Sequence, residues 1–265
     1  MHNYLLLAEP ACYCLLIDSS NLPKLSSKRA SFSEMAPPSR SRRRRQVLVT
    51  GANGYIGAQA IATFLREGWT VRGAVRDLSS ISARELASHF AVELSAGTFE
   101  LVSIPNIKEE GAFDEAVRGV TAIAHLATPV VFDSGDVEYV VGTAVRGTLS
   151  ILESALRASS GTSAGYEDRD EPRKENGDAD GEEEEQLKSF VFMSSASAVR
   201  MRVPDPVTFT EADWNTQAEA EVKEAGDSAF GHVVYAVSKV AAERALWDWV
   251  REKKPPFAAT ALCPW

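Results

Sequence analysis

From residue 46 onward, short apolar runs alternate with longer amphipathic stretches. Val47-Leu48-Val49 leads into Thr50 and reads as a strand over 47–50. Beyond the small residues that follow, Ile56, Ala60, Ile61, Phe64 and Leu65 recur at helical spacing, and Gly68 supplies a stop. The alternation continues with strands over 70–75, 99–104, 122–127, 190–194 and 258–262. Between them lie helical patterns over 81–90, 112–117, 137–158 and 233–251. In the third of these, Val141, Val145, Leu149, Leu152 and Leu156 share one face. Such alternation predicts an α/β fold: a parallel sheet with helices on both faces and right-handed crossovers.

Two stretches lack the pattern. Residues 1–45 become Ser-, Pro- and Arg-rich and end in Arg42-Arg43-Arg44-Arg45. Their apolar patches, 4–7 and 12–17, are divided by Glu9 and Pro10. Neither reaches the ~20 residues of a membrane span, and the start lacks the basic opening of a secretory signal. We expect a disordered tail, with a nuclear-localisation patch or a transit peptide as the sharper alternatives and Met35 as an alternative start. Residues 159–187 are dominated by Gly, Ser, Asp and Glu, with a run at Glu182-Glu183-Glu184-Glu185. Such a stretch cannot bury a core and is expected to be a solvated insert within one domain over 46–265.

Composition changes this picture little. The hydrophobic fraction of 45% is that of a globular chain. The formal charge of −9 sits largely in the insert, so no nucleic-acid partner is expected. Three cysteines make no disulfide framework, which fits a reducing, cytoplasmic setting. Cys12 and Cys14 lack a second pair, so no metal site is expected.

The chemistry starts at Gly51, Gly54 and Gly57, spaced three apart between the first strand and the first helix. A tight glycine turn lets backbone approach a pyrophosphate, and the helix start aims unpaired N–H groups at its charge. The spacing differs from G-x-G-x-x-G. Thr50-Gly51-x-x-Gly54-x-x-Gly57 resembles the short-chain dehydrogenase/reductase superfamily, and Gly54-Tyr55-Ile56-Gly57 resembles its extended branch.

Further along, Tyr235 and Lys239 stand four apart in a helical pattern and so share a face. An ammonium beside a phenol favours the phenolate, which makes the pair a usable acid/base. Ser195 follows the fifth strand, where open α/β sheets place their ligands. Each signal alone is weak: a glycine turn, a strand-end serine, a Tyr beside a solvated Lys. Their order along the chain is what points to a site.

Further segments narrow the resemblance to the dihydroflavonol reductase and aldehyde/ketone reductase group of the epimerase/dehydratase-type extended enzymes. They are Val71–Arg76, Gly111–Val120, Ala124–Pro129, Ala212–Asn215 and Ala241–Trp247. The resemblance covers about Val47 to Pro264, apart from the insert. It implies a Rossmann-type doubly wound sheet and an NADP(H)-dependent reductase of a ketone or aldehyde. In that group the serine matching Ser195 polarises the carbonyl, with Ser194 and Ser197 as weaker alternates. The tyrosine matching Tyr235 donates the proton, and the lysine matching Lys239 also holds the nicotinamide ribose. Asn53, Tyr55 and Ile56 accompany the glycines at the cofactor. Leu126, Ala127 and Thr128 are expected to line its groove, Thr128 and Ala196 to touch the substrate, and Pro264 to meet the nicotinamide end.

An acid at the end of the second strand suits NAD, an arginine NADP. Val75 stands at the acid's position, eighteen after Gly57, and Arg76 follows. Arginine's fork fits phosphate, with Arg72 as a helper and Asp77 as a counter-signal. Where the family has an aspartate near the adenine, this chain has Asn106 and Ile107; the Asn106 carbonyl can still accept from the adenine amine. His125 is expected to be a packed strand residue. The family continues beyond the strand matching 258–262, so the resemblance implies that most of the substrate lobe is absent here. The alternatives are a catalytically impaired cofactor-binding remnant, or a nucleotide-sugar epimerase or dehydratase. The substrate and the oligomeric state are not legible.

Overall fold

The computed structural model describes residues 45–129, 136–160, 186–202 and 207–264. The basic tail up to Arg44 and nearly all of the acidic insert lie outside the described residues.

Six strands form one parallel sheet: β1 (Gln46–Thr50), β2 (Thr70–Val75), β3 (Phe99–Ser103), β4 (Ala122–His125), β5 (Ser189–Met193) and β6 (Ala258–Leu262). Their order is β3-β2-β1-β4-β5-β6, with every pair parallel. The helices are α1 (Tyr55–Arg66), α2 (Ile81–His89), α3 (Ala91–Ser95), α4 (Val137–Ser159), α5 (Thr216–Ala225) and α6 (Gly231–Lys253).

Alternation along β1 splits the core in two. Val47 and Val49 pack with Ile61 of α1 and Leu86 of α2, whereas Leu48 packs with Ile151 of α4 and Leu246 of α6. Register aligns the carboxyl ends of the strands on one rim: Thr50 beside Ala74 and His125, His125 beside Phe192, Phe192 beside Ala261. Chain order reverses between β1 and β4, so the crevice of an open α/β sheet opens there.

Several expectations change. Residues 112–117 form successive turns instead of a helix, although Phe113 and Val117 are buried as an apolar helix face would require. Packing of Phe113 and Val117 in the core sets its path. The buried face of α4 is rotated from the one its large residues mark. Val140, Ala144, Gly147, Thr148, Ile151 and Ala155 are buried; of the expected five, Leu152 alone is fully so. The reason is the close approach of α6 and of the β3–β4 connection. Ile107 fills the space beside Gly147, where an added Cβ would stand 2.7 Å from its Cδ1. Ile56 is 48% exposed and lies outside the buried face of α1. The helices α3 and α5 had no expected counterpart.

Candidate active site

Gly51 has φ +66°, a left-handed conformation that a Cβ disfavours. The turn closes with Gly54 N–H donating to Gly51 O at 2.9 Å. A Cβ on Gly57 would stand 2.2 Å from Gly51 O and 2.9 Å from Ala52 O, so α1 can start this close to the strand only with glycine there. Gly54 caps α1 without a side-chain hydrogen bond, and the first turn holds no acid. The helix start therefore presents backbone N–H groups with no acceptor from the cap, suited to an anion. Tyr55 is 87% exposed beside it. Asn53 Nδ2 donates to Ser82 Oγ at 2.8 Å, tying the turn to α2.

Thr50 organises the crevice. Its hydroxyl oxygen accepts from Leu126 N and Ala127 N, both at 3.0 Å, and lies 2.9 Å from His125 Nδ1. With two acceptor positions filled, the hydroxyl proton goes to Nδ1, so the imidazole carries its proton on Nε2. Burial pushes the His125 pKa down to about 3, aided by the Lys239 charge. His125 is a packed neutral strand residue. It places Leu126, Ala127 and Thr128 against the glycine turn, where the Ala127 backbone would meet a Gly51 Cβ at 3.2 Å.

At the end of β2, Arg76 is exposed. Arg72 is not available to a ligand. Its guanidinium bonds Glu100 at 2.7 Å and the carbonyls of Ala116 and Arg118 at 2.7 and 2.8 Å. Asp77 accepts from the Ser79 hydroxyl and N–H, which hold its carboxyl below the usual range. It is an exposed turn residue that stays charged, so the counter-signal it gave in the sequence stands. After β3, Asn106 Oδ1 accepts from Lys108 N at 3.2 Å and Nδ2 donates to Glu109 at 2.9 Å, leaving one acceptor position on the carbonyl. The Ile107 side chain is spent in the core against α4.

After β5 the adjacent serines separate. Ser194 is 2% exposed, and its hydroxyl makes a short bond to Glu243. Ser195 is half-buried and starts a 3₁₀ turn, Ala196–Ala198. Its oxygen accepts from Ser197 N at 3.1 Å, which leaves the hydroxyl proton to donate. Ala196 N donates to Pro264 O at 2.9 Å, so Pro264 is tied to this turn through its backbone. Helix α6 packs against the same turn. Tyr235 is half-buried; Lys239 is 2% exposed, donates to Met193 O at 2.8 Å and sits 5.7 Å from the Tyr235 ring centre. Burial pulls the Lys239 pKa down to about 8, while Glu243 and Cys263 oppose the fall. The helix that carries Tyr235 and Lys239 thus packs against the turn that Ser195 starts, on the rim that carries the glycine turn. Sequence reasoning missed Glu243, although it follows Lys239 at the spacing that led to Lys239 from Tyr235. Among the described residues no cluster suited to a metal ion occurs, and no helix is long and apolar enough to cross a membrane.

The profile of the NAD dependent epimerase/dehydratase family matches residues 47–265. The chain is 31% identical over 224 residues to aldehyde reductase 2 of Sporidiobolus salmonicolor, covering 82% of this chain and 56% of that one. It is 28% identical over 212 residues to dihydroflavonol 4-reductase of Arabidopsis thaliana, covering 80% and 47%. Among solved structures, the yeast methylglyoxal/isovaleraldehyde reductase Gre2 complexed with NADPH superposes with a TM-score of 0.64 at 26% identity, covering 83% and 57%. The chain therefore spans about half the length of these relatives.

Proposed function

The chain belongs to the NAD dependent epimerase/dehydratase family, and from that premise we propose that it provides the cofactor-binding and proton-donating machinery of an NADP(H)-dependent reductase acting on a ketone or aldehyde. The observation that carries this reading is the Lys239–Met193 bond, which fastens the helix bearing Tyr235 to the strand end bearing Ser195. Fold alone would not support it, since one fold hosts many chemistries.

The residues fit a dinucleotide. Glycine at 51, 54 and 57 lets the turn close tightly on the start of α1, since a Cβ at Gly57 would collide with the Gly51 and Ala52 carbonyls, and the α1 start offers N–H groups to a pyrophosphate. Asn53, Tyr55 and Ile56 border it. Arg76 supplies a fork for a 2′-phosphate, and the Asn106 side chain with the Ile107 backbone borders the adenine end. Leu126, Ala127 and Thr128 line the crevice. Tyr235, Lys239 and Pro264 lie at the nicotinamide end. When bound, the reduced nicotinamide supplies a hydride to the carbonyl carbon. Ser195 donates a hydrogen bond to the carbonyl oxygen, Tyr235 gives it a proton as charge develops, and the Lys239 cation favours the phenolate left behind. Thr128 and Ala196 border the substrate. The names of the curated relatives favour reduction over sugar epimerisation.

The test is oxidation of NADPH, and of NADH in parallel, against aldehydes, ketones and dihydroflavonol-type carbonyls. Turnover with NADPH preferred, and a loss of about a hundredfold or more in Tyr235→Phe, is expected. Preference for NADH overturns the cofactor assignment. Tight NADPH binding without turnover of any carbonyl overturns the reductase assignment and leaves a cofactor-binding unit.

A further inference from the structure

Along α6, Tyr235, Lys239, Glu243 and Trp247 recur every four residues and so lie on one face. The first two belong to the proposed reaction; Glu243 does not, yet it is buried to 2% exposure. Isolated charges at such depth are costly, and a carboxylate is kept there only with partners. Its partners come from three segments. Ser194 Oγ at the end of β5 makes the short bond to Oε2, and Trp247 Nε1 on α6 donates to Oε1 at 3.3 Å. Cys263, just past β6, brings its Sγ to 3.8 Å from Oε2. Ser194 and Cys263 are the neighbours of Ser195 and Pro264, and Ala196 N already bonds Pro264 O. One carboxylate therefore gathers both strand ends onto the helix that carries the proton donor.

Lys239 lies one turn away, also at 2% exposure. The groups around it are Tyr235 and Glu243 on α6, Cys263 after β6 and His125 on β4, with the Phe192 ring of β5 5.6 Å from Nζ. His125 is held neutral. Glu243 makes the largest electrostatic contribution against the burial of the ammonium.

We propose that Glu243 is a positioning residue: its buried carboxylate keeps Lys239 a cation and clamps the ends of β5 and β6 to α6. This rests on the reading of Lys239 as the lysine of the reductase site.

The experiment is carbon NMR of isotopically labelled lysine in the full chain without cofactor, with Lys239 assigned through Lys239→Arg. The native Lys239 midpoint expected from its burial lies near pH 8. In Glu243→Gln it moves down by about one pH unit, and Glu243→Asp restores most of the difference. The alkaline limb of kcat moves down in parallel, a change that a purely structural role would not produce. An unshifted Lys239 midpoint in Glu243→Gln overturns the proposal. If Glu243→Gln does not fold, the same titration is read in Glu243→Asp, where the shorter side chain draws the carboxylate back and the midpoint falls part of the way; an unshifted midpoint there overturns the proposal. A shifted midpoint in a chain that reduces no carbonyl defeats the reductase reading alone. Turnover with an unshifted midpoint defeats the role of Glu243 alone.

Discussion

Thr50 shows how much one hydroxyl can decide. It fixes the tautomer of His125 and the path of Leu126 and Ala127 through three contacts at one oxygen. His125 in turn stays neutral because protonation would strand a charge among Phe113, Phe190 and Phe192. A native pKa near 3, against 6.5 when unfolded, means that the unfolded chain binds one more proton between those values. Stability from this group is fully present above pH 6.5 and is lost as pH falls, by roughly 1.4 kcal/mol per unit. Urea unfolding at pH 7 and pH 5 should show a loss larger in the native chain than in His125→Asn by about 2 kcal/mol. Equal losses would show that His125 titrates normally. The serines make the same point about environment. Ser194 and Ser195 are adjacent and chemically identical, and only the depth of one against Glu243 separates them.

Elements were legible where period and punctuation agreed. The strands stand within two residues of their expected bounds, because each is a short run of mostly apolar residues, β-branched in β1 and aromatic in β5. The face of α4 was not legible, because its inner positions are small and depend on what approaches them. Two of the helical glycines illustrate the difference. At Gly147 an added methyl meets the flexible end of Ile107, and alanine recovers about 1 kcal/mol of helix propensity. At Gly57 it meets backbone carbonyls that hold the turn. Thermal melts without cofactor should show Gly147→Ala close to the native chain, and Gly57→Ala destabilised by about 1–3 kcal/mol. The reverse order would contradict the packing. The small helix α5 lacked a strong apolar stripe: Ala218 and Val222 are its buried residues.

At the scale of the molecule, six parallel strands deliver to one rim residues that are scattered from Gly51 to Pro264. The described chain on either side of 161–185 is already joined, since Gln186 Nε2 donates to Ser159 O at 3.1 Å and Lys188 N to Thr121 O at 2.9 Å. Loop-closure cost grows slowly with length, so exchanging 162–185 for a short Gly/Ser linker should leave the melting temperature and NADPH affinity within error. A large loss of affinity would assign those residues a binding role, and a large loss of melting temperature a stabilising one.

The sequence by itself determined the sheet, its parallel strands, the glycine turn and the order in which the chemical groups arrive. Those follow from local period and from residues whose backbone or side-chain chemistry has few uses. Only the tertiary structure decided which serine is open and that Arg72 is consumed by Glu100 and two carbonyls. It also decided that Glu243 lies buried against the ends of two strands. These are matters of burial and of partners distant in the chain, and such partners meet only once the sheet has closed over them.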